Sequence, residues 1–280
     1  MRRSIASICL SGSLDEKLAA ASAAHFEAIE VYEADLIHFD GSPSDVRAMA
    51  RDLGLAIDLY QPFRDFEGAP DALFRRALDR AERKFDVLEA LGAPMMMVLS
   101  NDSDWAIDDD ARAAEQLAAL AERAAQRGLR IAYEPAAWAS HIRTVAHGWK
   151  VLQAADHPHL GLVLDSFQML ASGEPLQVID SLPGDRVFHV QVADAPHMAI
   201  DIKTWSRRYR CFPGQGDLDV AGFLARVLAA GYTGGLSLEI FNDEFRSVSP
   251  RVMAFDGFRS LQFLEEQARA AIAASAPDRW

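Results

Sequence analysis

Cysteine is scarce in this chain of 280 residues. Cys9 and Cys211 are the only two, too few for a disulfide framework, which points to a reducing, cytoplasmic compartment. Long apolar runs are missing as well: none approaches the ~18 residues of a membrane span. The run 5–10 follows Arg2 and Arg3. It is shorter than the ~7–15 apolar residues of a secretory signal and leads into Ser11-Gly12-Ser13, a turn, not a cleavage site. Positive charge is in deficit, with 28 Lys and Arg against 41 Asp and Glu and a formal charge of −13. That balance argues against a nucleic-acid binder, which shows a basic footprint, and against docking on an anionic membrane. No linker, low-complexity run or composition shift divides the chain, so residues 1–280 are expected to form a single domain.

What is present is regular. Short apolar, β-rich runs recur at 5–10, 28–32, 55–60, 95–99, 130–133, 161–164, 187–192 and 236–240. Near-continuous apolar runs fit parallel strands buried on both faces. Between them lie helix-like stretches with plausible ends. Ser13 is placed as an N-cap before 14–24. Gly54, Gly92, Gly128 and Gly231 close the stretches 45–53, 70–91, 110–127 and 220–230. The His157-Pro158 stop follows 144–155, and a last helix is expected over 250–274. Strands alternating with helices imply a parallel sheet with right-handed crossovers. Eight such units match a (β/α)8 barrel, an α/β fold of typically ~250 residues. A doubly wound sheet is the alternative, and the absence of a Gly-rich phosphate loop after the first strand weighs against it.

In such a barrel, function sits at the C-terminal ends of the strands. Strand five ends in Glu134, strand six in Asp165, and strand eight near Glu239. Glu30 and Glu33 flank the end of strand two. Acidic residues at strand ends also cap helices or pair with arginines. Three together would repel one another unless a cation neutralised them, and oxygen donors favour Mg²⁺ or Mn²⁺ over Zn²⁺. Gln191 can supply a neutral fourth oxygen. His189 competes for that role, since residues two apart on a strand share a face, but it lies roughly 6–7 Å deeper. Arg64, after Gln61-Pro62-Phe63, can hold an anionic substrate as a bidentate donor. His141 in the fifth loop is an acid/base candidate. Arg207, Arg208 and Arg210 form a basic cluster in the longest insert, 193–219, which would lie over the mouth. Met95-Met96-Met97 reads as barrel core.

These residues fall in runs that resemble a known family. Tyr133-Glu134-Pro135-Ala136-Ala137-Trp138-Ala139-Ser140-His141 resembles the fifth-strand segment of bacterial 3-dehydroshikimate dehydratases. So do Leu164-Asp165-Ser166-Phe167, Val190-Gln191-Val192-Ala193-Asp194-Ala195-Pro196 and Arg210-Cys211-Phe212-Pro213-Gly214-Gln215-Gly216-Asp217-Leu218. Gln61-Pro62-Phe63-Arg64-Asp65-Phe66-Glu67-Gly68 and Ser237-Leu238-Glu239-Ile240-Phe241-Asn242-Asp243 complete six motifs in order. The wider group is the xylose-isomerase-like barrels of sugar isomerases and epimerases. The resemblance implies a divalent metal held by Glu134, Asp165, Gln191 and Glu239, with substrate contacts from Arg64, Ser206 and Arg210. It implies a dehydratase converting 3-dehydroshikimate to protocatechuate. In some relatives a second domain resembling hydroxyphenylpyruvate dioxygenase follows the barrel, and with the chain ending at Trp280 that domain is expected to be absent.

One position departs from the family pattern. Leu-Asp-Ser-Phe is followed there by histidine, a candidate acid/base, and here by Gln168, which cannot exchange a proton near neutral pH. Three explanations are open: proton transfer falls to His141 or to a metal-bound carboxylate, with Glu134 and Glu239 as catalytic candidates, or the chemistry has diverged, or the glutamine is a deliberate substitution that disables turnover. Gln168 itself is expected to contact substrate. A sugar or inosose isomerase, epimerase or dehydratase using the same metal is the nearest rival. A DNA-repair endonuclease on a related barrel would need metal-binding histidines and a basic groove. A non-catalytic binding barrel is the third rival, suggested by Gln168. The expected partner is a small anionic substrate, with no nucleic acid and no membrane. Barrels of this kind often self-associate, which makes a homo-oligomer an expectation although no residue marks an interface.

Overall fold

The computed structural model describes residues 1–275. Eight parallel strands close into a barrel in chain order. They are β1 (Arg3–Ala6), β2 (Ala28–Tyr32), β3 (Ala56–Phe63), β4 (Met95–Leu99), β5 (Arg130–Glu134), β6 (Leu160–Asp165), β7 (Val187–Val192) and β8 (Leu236–Leu238). Helices α1 (Leu14–Ala23), α2 (Glu33–Ile37), α3 (Pro43–Asp52), α4 (Asp71–Leu91) and α5 (Asp110–Gln126) occupy the first half. Helices α6 (Val145–Ala155), α7 (Ser166–Ala171), α8 (Ile202–Arg208), α9 (Val220–Ala229) and α10 (Pro250–Ser275) follow. Among the described residues no helix is long and apolar enough to cross a membrane.

The apolar patterning dictates this arrangement. Strands β4, β6 and β7 are buried along their whole length, as expected where helices cover one face and the barrel interior the other. Helix α4 turns Ala77, Leu78, Ala81, Phe85, Leu88 and Leu91 inward, the three-and-four spacing of a core-facing stripe. It stops at Gly92, whose φ of 71° lies in the left-handed region. Inside the barrel a separate cluster of Leu59, Met95, Met97, Ala132, Val163 and Phe188 forms the floor beneath the mouth. Of the methionine run, Met96 instead faces the outer core, because neighbours on a strand point to opposite faces.

Two expectations about local structure are corrected. The run 5–10 is not all strand: β1 ends at Ala6 and a 3₁₀ turn covers Ser7–Cys9. Ser7 Oγ there accepts from the Tyr32 amide at 2.9 Å and donates to Asp35 at 2.6 Å. Burial of an apolar run does not distinguish a strand from a buried turn. Helices α2, α7 and α8 lie outside the helix-like stretches read from the sequence, since five to seven residues are too few to show a helical period.

Glu67, in the loop after β3, ties together the loop after β4 and strand β5. Its Oε1 accepts from the Asn101 amide at 2.5 Å and from Tyr133 Oη at 2.9 Å, while Asn101 Nδ2 donates to the Glu67 carbonyl at 2.7 Å. Its Oε2 is buried without a partner among the described residues.

Two outcomes follow for stability. Gly161 leaves room for the Phe188 ring, since a Cβ there would stand 2.6 Å from ring carbons. Gly161→Ala is expected to lower unfolding free energy by roughly 1–3 kcal/mol, read as a lower urea midpoint at unchanged slope. Burial pushes the Glu67 carboxyl up to about 7, above its unfolded value of roughly 4.3. Between those values the folded chain holds a proton that the unfolded chain has released. Glu67 therefore makes stability fall as pH rises through this window, by on the order of 3 kcal/mol once complete. Glu67→Gln should flatten that decline in urea melts compared at pH 5 and pH 8.

Candidate functional site

The strand register brings the candidate side chains to one end of the barrel. Glu134 ends β5 opposite Leu99, and Asp165 ends β6 opposite Gln191 on β7. Glu239 stands one residue beyond β8, where its amide donates to the Val192 carbonyl at 3.1 Å. All four side chains are buried. Glu134 and Asp165 share a barrel-facing row with Ala132 and Val163 two positions earlier, whereas His189 lies below Gln191 and Ser237 below Glu239. Asp165 also caps α7 by accepting from the Phe167 amide at 2.8 Å, which leaves its second oxygen for the interior.

That oxygen meets Arg210. The Arg210 Nη1 donates to Asp165 Oδ2 at 2.8 Å and to Glu239 Oε2 at 3.2 Å, while Nη2 donates to Ser206 Oγ at 2.9 Å and Nε to the Ser206 carbonyl at 3.1 Å. The insert after β7 thus covers the mouth, and α8 supplies the anchor for its cation. Asp194 holds the rest of the insert, accepting from the amides of Gly214, Gly216 and Leu218 at 3.0 Å each.

Three carboxylates against one guanidinium leave the mouth at a formal charge of −2, the deficit that one divalent cation would cancel. Burial holds the Glu134 carboxyl well above the usual range, and Glu239 and Asp165 add to the rise. Burial also raises Asp165, although Arg210 opposes it. Burial pushes Glu239 up to about 7 against the pull of Arg210. Burial works against the Arg210 charge, but Asp165, Glu239 and Glu134 outweigh it and strengthen its hold on the proton. The carboxyls therefore compete for protons because too little positive charge faces them.

Gln191 Oε1 is buried with no hydrogen-bond partner among the described residues, a costly state for an amide oxygen unless something else binds it. With the carboxylates it completes an all-oxygen donor set of the kind Mg²⁺ or Mn²⁺ takes. The donors fit such an ion in type and in charge. Its partner nitrogen, Gln191 Nε2, donates to Glu30 Oε2 at 2.8 Å. His189 lies on the same row and contacts Glu30 Oε1 at 2.9 Å. Burial opposes the Glu30 charge, but His189 outweighs it and holds the carboxyl below its usual range. His189 is correspondingly raised.

A cleft opens above these groups. Gln61, Arg64, Glu134, Trp138, Gln168, Ser206, Arg207, Arg210, Glu239 and Phe241 line it, with Met97 and Leu99 at its base. Arg64 is half-buried at the rim, and its guanidinium has no hydrogen-bond or ion-pair partner among the described residues. Arg210, expected as a substrate contact, lines the cleft and is engaged there by Asp165, Glu239 and Ser206. Gln168 on α7 donates to Glu134 Oε1 at 3.2 Å and accepts from the Ala137 amide at 3.0 Å.

His141 is not brought to this cleft. Its Nε2 lies 2.7 Å from Asp110 Oδ1, as does His147 Nε2, and Lys150 Nζ donates to Asp110 Oδ2 at 2.8 Å. The loop after β5 carries Trp138 into the cleft and then turns His141 outward to the N-terminal ends of α5 and α6. Asp110, His141 and His147 place one ligand atom each within 4.8 Å of one another, so this cluster also could hold a cation. Sequence reasoning missed the part played by Glu30, although an acid inside the apolar run Ala28-Ile29-Glu30-Val31-Tyr32 was a visible signal. It missed Trp138 and Phe241 as cleft walls, since aromatic residues after strands carry no signal of direction.

Comparison with known proteins agrees with this geometry. A protein of Pseudomonas putida named 3-dehydroshikimate dehydratase is 52% identical over 270 residues, covering 96% of this chain and 42% of its own length. Its namesake in Pseudomonas aeruginosa is 53% identical with the same coverage. The chain thus spans about two fifths of the length of these curated relatives. The solved structure of a xylose isomerase-like TIM barrel/4-hydroxyphenylpyruvate dioxygenase fusion protein superposes with a TM-score of 0.96 at 50% identity, over 99% of this chain and 45% of that one. A family model described as the xylose isomerase-like TIM barrel matches residues 18–271, and with the closed eight-stranded barrel it establishes that the chain belongs to that family.

Proposed function

We propose that this barrel is the catalytic unit of a divalent-metal-dependent 3-dehydroshikimate dehydratase, a hydro-lyase that forms protocatechuate. The observation that carries the reading is the mouth itself: three buried carboxylates, one guanidinium and an orphaned Gln191 oxygen beneath an unpaired Arg64. The two Pseudomonas relatives that bear the dehydratase name support the choice of substrate. Glu134, Asp165, Gln191 and Glu239 would hold Mg²⁺ or Mn²⁺. A cation bound there supplies electrophilic polarisation of a carbonyl.

The remaining work falls to the chain's own residues. Arg64 at the rim faces the substrate carboxylate and fixes which end of the ring enters the cleft. Arg210 keeps Asp165 and Glu239 in place and remains at the wall. The substrate loses a proton from the carbon next to its ketone, and the C–O bond to the hydroxyl on the following carbon breaks. Glu134 and Glu239 both line the cleft, so one can accept that carbon-bound proton and a proton passes to the departing hydroxyl to make water. A second ring carbon then gives up a proton and the former ketone oxygen gains one, which completes the aromatic diphenol with one water released overall. Gln168 takes no proton in this scheme. Its amide orients Glu134, and His141 stays outside it because it does not line the cleft. Trp138 and Phe241 wall the ring off from solvent.

The test is turnover of 3-dehydroshikimate by metal-stripped protein to which Mg²⁺ or Mn²⁺ is restored, followed by product ultraviolet absorbance. Product should form only with metal. Glu134→Gln is expected to cut kcat by roughly 10²–10⁴-fold with the circular dichroism spectrum unchanged. Arg64→Ala should lower kcat/KM by roughly 10–100-fold, mostly through KM, as for loss of one charged hydrogen-bond partner. No product from folded, metal-loaded protein would refute the substrate assignment. An Arg64→Ala variant that spared KM would refute the role of Arg64.

A further inference from the structure

The cation site raises the question of what aims its one neutral donor. An amide side chain presents oxygen or nitrogen according to its hydrogen-bond partners. Glu30 is fully buried at a register shift in β2, and its carboxylate accepts from three side chains. Oε1 takes His189 Nε2 at 2.9 Å. Oε2 takes Gln191 Nε2 at 2.8 Å and Gln61 Nε2 at 2.6 Å. An ionised carboxylate only accepts, so it fixes the nitrogen of each amide toward itself. Flipping Gln191 would set its oxygen against Glu30 Oε2. Gln61 Nε2 meanwhile spends its second hydrogen on Glu239 Oε1 at 2.9 Å. One carboxylate therefore controls Gln191 directly and Glu239 through Gln61.

We propose that Glu30, which touches neither substrate nor metal, is a positioning residue for the cation site: it turns the Gln191 oxygen and the Glu239 carboxylate toward the bound ion. This rests on reading the mouth as a divalent-cation site. His189 has a supporting part, since its contact with Oε1 leaves Oε2 for the two amides. The consequence is a site that offers oxygen alone, which selects a hard cation over one that prefers nitrogen.

The test is Mn²⁺ binding to the stripped full chain, measured by the electron paramagnetic resonance signal of free Mn²⁺. Glu30→Gln should weaken binding roughly 10–100-fold, as is typical for residues that orient metal ligands, with unchanged circular dichroism. Removal of a negative charge alone would also weaken binding, so the same substitution is made in a Gln191→Ala background. Positioning through Gln191 requires the loss to shrink there, a coupling that a double-mutant cycle measures. A loss of undiminished size would make Glu30 a source of charge only and would overturn the proposal. Should Glu30→Gln fail to fold, Glu30→Asp keeps the charge and shortens the reach by one methylene, and it should weaken Mn²⁺ in the same direction. Asp165→Asn separates the two ideas. If it weakens Mn²⁺ while Glu30→Gln and Glu30→Asp do not, the positioning role alone is wrong. If neither weakens it, the cation-site reading falls and the proposal with it.

Discussion

Uncompensated negative charge at the barrel mouth is the constraint on which the other features depend. Glu30, Glu134, Asp165 and Glu239 are all buried at one end of the barrel, where an unpaired charge costs several kcal/mol. Arg210 faces Asp165 and Glu239, and His189 faces Glu30. The insert after β7 reaches back across the mouth and delivers Arg210 to Asp165 and Glu239. Asp194 gathers the turn amides that let the chain return to α9. Short helix α7 begins at Asp165 itself and sets Gln168 against Glu134. Each device holds a carboxyl in place or adds a donor to it, and Glu134, Asp165 and Glu239 with Arg210 alone still lack two positive charges.

The barrel was largely legible in the sequence because its strands are apolar on both faces and its helices carry one apolar stripe. Both patterns survive without knowledge of tertiary contacts. Glu134, Asp165 and Glu239 were legible for the same reason, since an acid that ends a buried run has one place to go. His141 was not. A residue seven positions after a strand lies on a loop whose direction depends on long-range contacts, here with Asp110 on another helix. Arg210 was legible as a cation of the site, but its engagement by Asp165, Glu239 and Ser206 depends on three separate segments meeting. Glu30 was visible as an oddity within an apolar run. Its function required knowing that the amides of Gln61 and Gln191 converge on it from two other strands.

The replacement of the expected histidine by Gln168 fits this organisation. A glutamine there donates to Glu134 and accepts from the loop that carries Trp138, linking a site carboxyl to a cleft wall. The exterior cluster at Asp110 has its own balance: two imidazoles and Lys150 surround one carboxylate where the N-terminal ends of α5 and α6 also favour an anion. Its charge is met locally, whereas that of the mouth is not.

Location of a bound cation tests this contrast most directly. Crystals of the stripped protein soaked in Mn²⁺ would be read by anomalous scattering. The expected result is one strong peak among Glu134, Asp165, Gln191 and Glu239. A strong peak only at Asp110, His141 and His147, with the mouth unchanged, would contradict the account of the mouth as the charge-deficient site.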